Sequence, residues 1–266
     1  MRAIAVHEDV VVAIGAIWKT TCTAVRAGDE AFLIDSPILP DELEALPALL
    51  DQAGFAVSGL LVTHADRDHL LGRYAFPDAS IGCGETTAAR LAAEPGAAQR
   101  ELREFDEQYL IDRPGPLSLP GVQALPVPGY CALGERELEL HPADGHTSDG
   151  TAIWIPWAKV LVCGDYLSPG AIPELSPSSS LDGYLATLRR LEPLVQQADT
   201  VVPGHGEPLD GVRAAAILRE DVAYVEALAG DEPAAAPLPL ARRDGGNRKL
   251  HDYNVSLLAD ISQMGG

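Results

Sequence analysis

The chain has 266 residues, of which 47% are hydrophobic and 22% charged, which is sufficient for a folded core and argues against low-complexity disorder. Its formal net charge of −20 repels phosphate backbones and anionic membrane surfaces, so we expect neither a nucleic-acid nor a membrane partner. No stretch reaches the roughly 18 unbroken apolar residues of a spanning helix, and the N-terminus lacks the basic start of a signal peptide. A cytoplasmic protein is therefore predicted.

Apolar runs that end in polar or glycine-containing turns predict buried strands. Residues 1–15 predict the first strand. The later runs end at Asp35 after 32–34, at Thr63 and His64 after 60–62, at Gly164 and Asp165 after 160–163, and at Gly204 and His205 after 201–202. Loops at strand ends commonly carry the site in α/β proteins, so these endings are the first candidates for function.

Helical periodicity and terminal residues predict helices between these strands. They cover 41–52, 85–110 with a break at Pro95 and Gly96, a leucine-lined face from 181 to 191, 210–228 and 248–263. Proline-rich connections are predicted at 114–129, 169–180 and 231–246. We interpret the last of these as a surface loop, with a mobile flap or an oligomer contact as the alternatives.

The four cysteines lie far apart and form no C-x-x-C motif: Cys22, Cys83, Cys131 and Cys163. A chain of this size without an export signal favours free thiols over a disulfide framework. We therefore predict four buried free thiols.

One segment directly after an apolar run places four potential metal ligands within six residues: His64, Asp66, Asp68 and His69. A divalent metal binds imidazole nitrogens and carboxylate oxygens at about 2.0–2.2 Å, and a catalytic site leaves one position open for water. Taken alone, the segment is also compatible with a solvated turn or a helix cap.

Three more residues of ligand type stand beside glycine in separate turns: His146, Asp165 and His205. Glycine permits unusual backbone angles and a close approach of the backbone to a site. A lone histidine is more often structural than a ligand, but four such segments in one chain favour a metal centre.

In this order the residues resemble the metallo-β-lactamase superfamily, whose ligand pattern is H-x-H-x-D-H followed by His, Asp and His. The resemblance extends from Asp35 to the turn at 203–206, and it implies an α+β fold, the αββα four-layer metallo-β-lactamase sandwich, as a single domain over 1–266. By position, it implies a first metal held by His64, Asp66 and His146, a second held by Asp68, His69 and His205, and a bridge between them from Asp165. Asp35 matches a structural position of the family and is left out of the ligand set.

Asp66 departs from the family pattern, which has histidine at that position. The additional carboxylate changes the charge balance of a dinuclear site. Our hypothesis is a weaker Lewis acid that accepts harder metals, Mn or Fe, alongside Zn. Two zinc ions are the first expectation, and a single tightly held metal is the alternative.

The resemblance also implies an activity, the hydrolysis of a small carbonyl substrate (a thioester, lactone, ester or amide) by a metal-bridged hydroxide. Asp68 is the predicted catalytic residue, which orients this nucleophile and assists proton transfer. Tyr166 is predicted to bind substrate as a hydrogen-bond donor, with a structural tyrosine as the alternative. The segment 251–254 is predicted to pack a helix, with a role as a cover of the pocket as the alternative.

Two other classes of protein stay open at this point. One is a diiron oxidoreductase similar to the flavodiiron proteins, although no flavin domain is apparent in the chain. The other is a non-catalytic metal-binding or scaffold protein with the same fold. The substrate, the occupancy of the second metal position and the oligomeric state are left open by the sequence.

Overall fold

The computed structural model describes residues 1–264, with side chains to residue 261. Within this range the strands form two sheets, one of seven strands in the order β1-β2-β3-β4-β5-β6-β7 and one of six in the order β13-β12-β11-β10-β9-β8. In both sheets, strands that follow one another in the chain also lie next to one another in the sheet.

The first sheet is antiparallel from β1 to β4 and parallel from β4 to β7. Its strands are β1 (Arg2–His7), β2 (Val10–Ile14), β3 (Thr21–Ala27), β4 (Glu30–Ile34), β5 (Val57–Val62), β6 (Ser80–Gly84) and β7 (Gln123–Leu125). The helices that connect its parallel strands are α1 (Pro40–Gln52), α2 (Gly72–Ala75), α3 (Glu85–Ala93) and α4 (Ala97–Tyr109). Helix α1 begins with Pro40, Asp41 and Glu42. Proline lacks the backbone N–H that would have no partner in the first turn of a helix, and the two carboxylates complement the positive end of the helix dipole.

The second sheet is antiparallel except for the parallel pair β11 and β12. Its strands are β8 (Gly129–Leu133), β9 (Arg136–Pro142), β10 (Thr151–Ile155), β11 (Val160–Val162), β12 (Thr200–Val202) and β13 (Leu209–Asp210). The helices of this half are α5 (Leu181–Gln197), α6 (Gly211–Leu228) and α7 (Gly245–Met264). Ser180 and Asp210 accept hydrogen bonds from backbone N–H groups in the first turns of α5 and α6, which fixes where these helices begin.

The two sheets pack face to face, and helices cover both outer faces. Strand β10 shows how the layers form, because all five of its residues are buried. Ile153 and Ile155 pack in the core between the sheets, whereas Ala152 and Trp154 pack in the core beneath α5 and α6. A third apolar core lies between the first sheet and its helices. The predicted αββα four-layer sandwich is thus confirmed.

Three expectations from the sequence need correction. Residues 1–15 form two strands rather than one, because the chain turns at Asp9, whose backbone N–H donates to His7 Nδ1 at 3.0 Å. Helix α7 begins at Gly245 rather than at 248, since the Asp244 carboxylate accepts from Asn247 N at 3.0 Å. Cys131 is only half-buried because it lies on β8 at the edge of its sheet; the other three cysteines are buried, and all four are free.

The connection 231–246 is more ordered than a plain loop. It contains two short 3-10 turns, Pro233–Ala235 and Leu240–Arg242, before α7 begins. Across residues 1–264, no helix is both long and apolar enough to cross a membrane.

Candidate metal centre

All seven predicted ligands converge at one end of the sandwich, where several strands finish. The segment from His64 to His69 follows β5, Asp165 follows β11, and His205 follows β12. His146 lies in the turn between β9 and β10. These side chains lie on irregular segments, and each segment begins where a strand of one of the two sheets ends.

The first group of ligands combines two imidazoles with one carboxylate. Asp66 Oδ2 lies 3.6 Å from His64 Nε2 and 3.7 Å from His146 Nε2. One ligand atom from each of the three residues falls within 4.8 Å of the others, so one cation between them would contact all three.

The second group has the same composition. Asp68 Oδ2 lies 3.9 Å from His69 Nε2 and 3.3 Å from His205 Nε2. These three atoms also lie within 4.8 Å of one another.

The carboxylate of Asp165 stands between the two groups. Its Oδ2 lies 3.5 Å from His146 Nε2 in the first group and 3.3 Å from His205 Nε2 in the second. Its Oδ1 lies 3.3 Å from His69 Nε2. A carboxylate in this position can contact cations in both groups at once.

Several nitrogen and oxygen atoms at the centre of the cluster are buried, and a metal ion would satisfy them better than they satisfy one another. Among the described residues, His64 Nε2, His69 Nε2 and Asp165 Oδ1 are buried without a hydrogen-bond partner. Such atoms cost free energy when they are left unpaired. A divalent cation would satisfy them, and imidazole with carboxylate is a donor set that zinc and related metals accept.

The opposite nitrogens of the histidines are held by neighbouring groups. His146 Nδ1 lies 2.9 Å from the Glu174 carbonyl oxygen, and His205 Nδ1 lies 3.3 Å from Thr20 Oγ1. His69 Nδ1 lies 3.0 Å from Asp35 Oδ2. Contacts of this kind set the orientation of a metal-binding imidazole and leave its Nε2 facing the centre.

Asp35 supports the site without joining the ligand groups. It adopts a left-handed backbone conformation, with φ of 58°, that is uncommon for a residue with a side chain. Its Oδ1 accepts from Thr63 N and its Oδ2 from Thr63 Oγ1, both at 2.9 Å, so one carboxylate joins the end of β4 to the end of β5. Strained residues of this type concentrate at functional sites.

Charges within the cluster shift the pKa values of its members. Burial alone would raise the pKa of Asp68, but the charges of His69 and His205 outweigh it and lower that pKa to about 2. Burial alone would lower the pKa of His146, but Asp66 and Asp165 raise it to about 9. The pKa of His205 is raised to about 10 against the effect of burial, chiefly by Asp165. Without a metal, protons on the histidines balance the carboxylates.

Two charged residues in contact with the centre were missed by sequence reasoning. Arg90 of α3 places its Nη1 2.9 Å from Asp66 Oδ1 and 2.8 Å from Asp149 Oδ1. Asp149 comes three residues after His146, and this proximity was the one available signal. Arg90 belongs to no recognisable sequence motif. It reaches the cluster only because the folded chain brings α3 close to the end of β5.

The predicted role of Tyr166 in substrate binding is not supported by its position. Its side chain is buried, and its hydroxyl donates to the Ala143 carbonyl and accepts from His146 N, both at 2.9 Å. Tyr166 therefore holds the turn that carries His146, as the structural alternative proposed.

The segment 251–254 combines both of its predicted roles. His251 and Asn254 are buried in helix packing, and His251 Nδ1 lies 3.0 Å from Tyr224 Oη. Tyr253 instead lines a cleft of about 830 Å³ that opens over the cluster. Trp18 stands on another side of this cleft, and the irregular segment 168–176 forms much of its wall.

Comparison with known proteins places this site in a family. The family model of the metallo-beta-lactamase superfamily matches residues 17–205, a range that contains all seven predicted ligands. The chain therefore belongs to the metallo-β-lactamase superfamily.

Similar curated proteins include two that are named for different activities. The metallo-beta-lactamase type 2 of Pseudomonas aeruginosa is 23% identical over 186 residues, which cover 70% of this chain and 67% of that protein. The acyl-coenzyme A thioesterase MBLAC2 of Gallus gallus is 28% identical over 196 residues, which cover 68% of this chain and 70% of that protein.

Solved structures share the fold over most of the chain. A metallo-beta-lactamase family protein from Thermus thermophilus matches with a TM-score of 0.70 and 19% identity, over 98% of this chain and 95% of that one. A metallo-beta-lactamase from Pontibacter korlensis matches with a TM-score of 0.60 and 19% identity, over 82% and 98%. At these identities the likeness is one of fold.

Proposed function

We propose that this protein is a metal-dependent hydrolase of a small carbonyl substrate, with thioesters as the first class to test. The observation that carries the proposal is the position of Asp165, between two groups that each contain two imidazoles and one carboxylate. The cleft above this cluster gives a small molecule access to it.

The proposed metals are two zinc ions; each of the two groups would hold one, and Asp165 would serve as a ligand to both. Manganese and iron are the alternatives, because Asp66 adds a hard oxygen ligand where the family pattern has histidine. When bound, such metals supply a Lewis-acid centre that lowers the pKa of water and polarises a carbonyl group.

Asp68 is the proposed catalytic residue among the protein's own groups. It lines the cleft, and its lowered pKa keeps the carboxylate ionised at neutral pH. An ionised carboxylate at the floor of the cleft can orient a water molecule and accept its proton. His146 and His205 are held from behind by Glu174 and Thr20, so they keep the ligand groups in place during the reaction.

The surroundings of the cluster favour a carbonyl substrate over a phosphodiester. The chain has a net charge of −20, which disfavours an anionic phosphodiester, and the carboxylate of Asp66 would make the metal centre less cationic than a histidine at that position. The similarity to a thioesterase and to a β-lactamase, both of which act on acyl groups, supports the same class. Thioesters come first because the thioesterase has the higher identity of the two.

The test is a hydrolysis panel of thioesters, lactones, β-lactams and phosphodiesters with the zinc, manganese and iron forms of the full chain. Asp165→Asn and His146→Ala should lower turnover at least about 100-fold, since even contacts behind a ligand are worth 10–100-fold. Asp199→Asn and His141→Ala are the matched controls, because both residues lie outside the cluster and are partly or fully exposed.

The panel also separates the alternatives. Turnover that survives both cluster variants, or that persists in the metal-free protein, would refute the proposal. Iron-dependent redox turnover without hydrolysis would indicate the diiron oxidoreductase. A protein that binds metal or keeps the fold but hydrolyses none of these substrates would indicate the non-catalytic class.

A further inference from the structure

The carboxylate of Asp66 divides its two oxygens between different partners. Oδ2 faces the imidazoles of the first group, at 3.6 Å from His64 Nε2 and 3.7 Å from His146 Nε2. Oδ1 faces away from them and lies 2.9 Å from Arg90 Nη1. Only one of the two oxygens is therefore directed at the proposed first metal position.

Arg90 is itself held in place by a second carboxylate. Its Nη1 lies 2.8 Å from Asp149 Oδ1, and Asp149 is only 1% exposed. The other oxygen of Asp149 accepts from Ala65 N at 2.9 Å, in the segment between His64 and Asp66. The guanidinium thus connects helix α3 to both turns that supply the first ligand group.

We propose that Arg90 restricts Asp66 to one ligand oxygen and thereby makes the first metal position selective for zinc over manganese. The inference rests on the proposed function only in taking the cluster as a metal centre. An oxygen engaged in a charge-assisted hydrogen bond is less available to a cation. Zinc is satisfied by four ligands, whereas manganese prefers a larger set rich in oxygen, so losing one oxygen penalises manganese more.

Arg90 affects the site through charge as well as geometry. Arg90→Met leaves Asp66 and Asp149 without their cation, so the local charge changes from −1 to −2, which by itself would strengthen the binding of any divalent cation. Because zinc and manganese carry the same charge, this effect leaves the ratio of their affinities unchanged. A change in that ratio therefore reports the direction in which Asp66 points and the number of oxygens it offers, which makes Arg90 a positioning residue.

The test measures metal affinity on the full chain after its metal has been removed. Zinc and manganese are titrated separately in competition with a chromophoric chelator, for the unaltered protein, for Arg90→Met and for Arg100→Met. We expect Arg90→Met to lower the ratio of zinc to manganese affinity at one site about tenfold or more, because the freed second oxygen of Asp66 favours manganese. Arg100→Met should leave the ratio unchanged, because Arg100 is exposed and its guanidinium donates to the Pro95 carbonyl, at 3.2 Å.

A double-mutant cycle separates positioning from a general effect on the fold. If Arg90 acts through Asp66, adding Arg90→Met to Asp66→Asn should change the ratio of zinc to manganese affinity little further. An equal change of the ratio in both backgrounds would overturn the proposal, as would an unchanged ratio in Arg90→Met. Should circular dichroism show Arg90→Met to be unfolded, Arg90→Gln provides the same test, since it keeps a polar side chain but removes the guanidinium from Asp66; it should lower the ratio in the same direction.

The outcome for the unaltered protein distinguishes this inference from the proposed function. A chain that binds no transition metal would refute the proposed function. Two bound zinc ions together with an unchanged ratio in the variants would refute only the role of Arg90.

Discussion

Gly204 shows how tightly single residues are fitted at the metal centre. Its N–H donates to the Gly164 carbonyl at 2.6 Å, and its carbonyl accepts from Thr21 N at 2.8 Å. A Cβ atom at this position would overlap Asp165 Oδ1 and lie 3.1 Å from His69 Cε1. Glycine is therefore required here by close approach of the backbone to two ligands, one of them the central carboxylate.

Gly204→Ala should consequently displace Asp165 and impair metal binding. Because Asp165 contacts both ligand groups, we expect at least one of two zinc equivalents to be weakened by about tenfold or more. Zinc stoichiometry and affinity by chelator competition would measure this. Gly115→Ala is the control, since a Cβ there meets no atom within 4 Å. Equal zinc binding by the two variants would contradict this requirement for glycine at position 204.

The convergence of the seven proposed ligand residues could be predicted from the sequence, whereas their supporting contacts could not. His64, Asp165 and His205 are visible because each follows an apolar run, and strand ends gather at one edge of a sheet. Arg90 and Asp149 meet only when α3 packs beside the turn before β10. A contact between residues 59 positions apart, without a motif, leaves no pattern in the chain.

At the level of elements, side chains from the C-terminal segment hold the wall of the cleft. The segment 168–176 has no regular structure to satisfy its backbone groups. Asn254 of α7 accepts from Leu175 N at 3.0 Å and donates to the Pro173 carbonyl at 2.8 Å. Asn247 accepts from Ile172 N and donates to the Gly170 carbonyl, at 2.8 and 2.9 Å. Helix α7 thus replaces the strand partner that this wall lacks.

Asn254→Ala should loosen this wall and destabilise the protein. The change leaves a buried N–H and a buried carbonyl unpaired, and each costs about 1–3 kcal/mol, so we expect a loss of about 2–6 kcal/mol in the free energy of unfolding. Urea unfolding would measure the loss, and hydrogen exchange at 170–176 should rise. Gln196→Ala, on the exposed face of α5, is the control. Unchanged exchange at 170–176 would contradict this role of α7.

The strength of local sequence signals explains which helices and strands were predicted correctly from the sequence. Helices with capping residues and apolar periodicity were found to within a few residues, because local signals determine them. The division of residues 1–15 into two strands was missed, since the turn at Asp9 depends on Arg26 and Arg136, which contact its carboxylate from β3 and β9. Contacts with residues distant in the sequence therefore determine where β1 ends and β2 begins.

The protein carries an excess of negative charge, and part of it is concentrated at the proposed metal centre. Asp66, Asp68 and Asp165 converge in a chain of net charge −20, so the metal-free protein needs cations at this point. In that form, protonated His69, His146 and His205 provide them. Against the effect of burial, Asp35 and Asp165 raise the pKa of His69 well above its ordinary value, and the pKa values of His146 and His205 are raised to about 9 and about 10. Because all three pKa values lie above the ordinary 6.5, this stabilisation is complete below about pH 6.5. The parts of it due to His146 and His205 are lost as the pH rises through 9 to 10.

Zinc must displace these protons, because it binds the same imidazole nitrogens. At pH 7.5 His69, His146 and His205 of the metal-free protein are protonated, so filling both groups should release about three protons from these imidazoles. Isothermal titration calorimetry in buffers with different enthalpies of ionisation would count them. Apparent zinc affinity should rise with pH through about 9–10, where His146 and His205 lose their protons. His141→Ala should release the same number, since His141 lies outside the cluster, whereas His205→Ala should release about one fewer. Zinc binding without proton release would show that metal-free His69, His146 and His205 are neutral, and that the carboxylates are balanced in some other way.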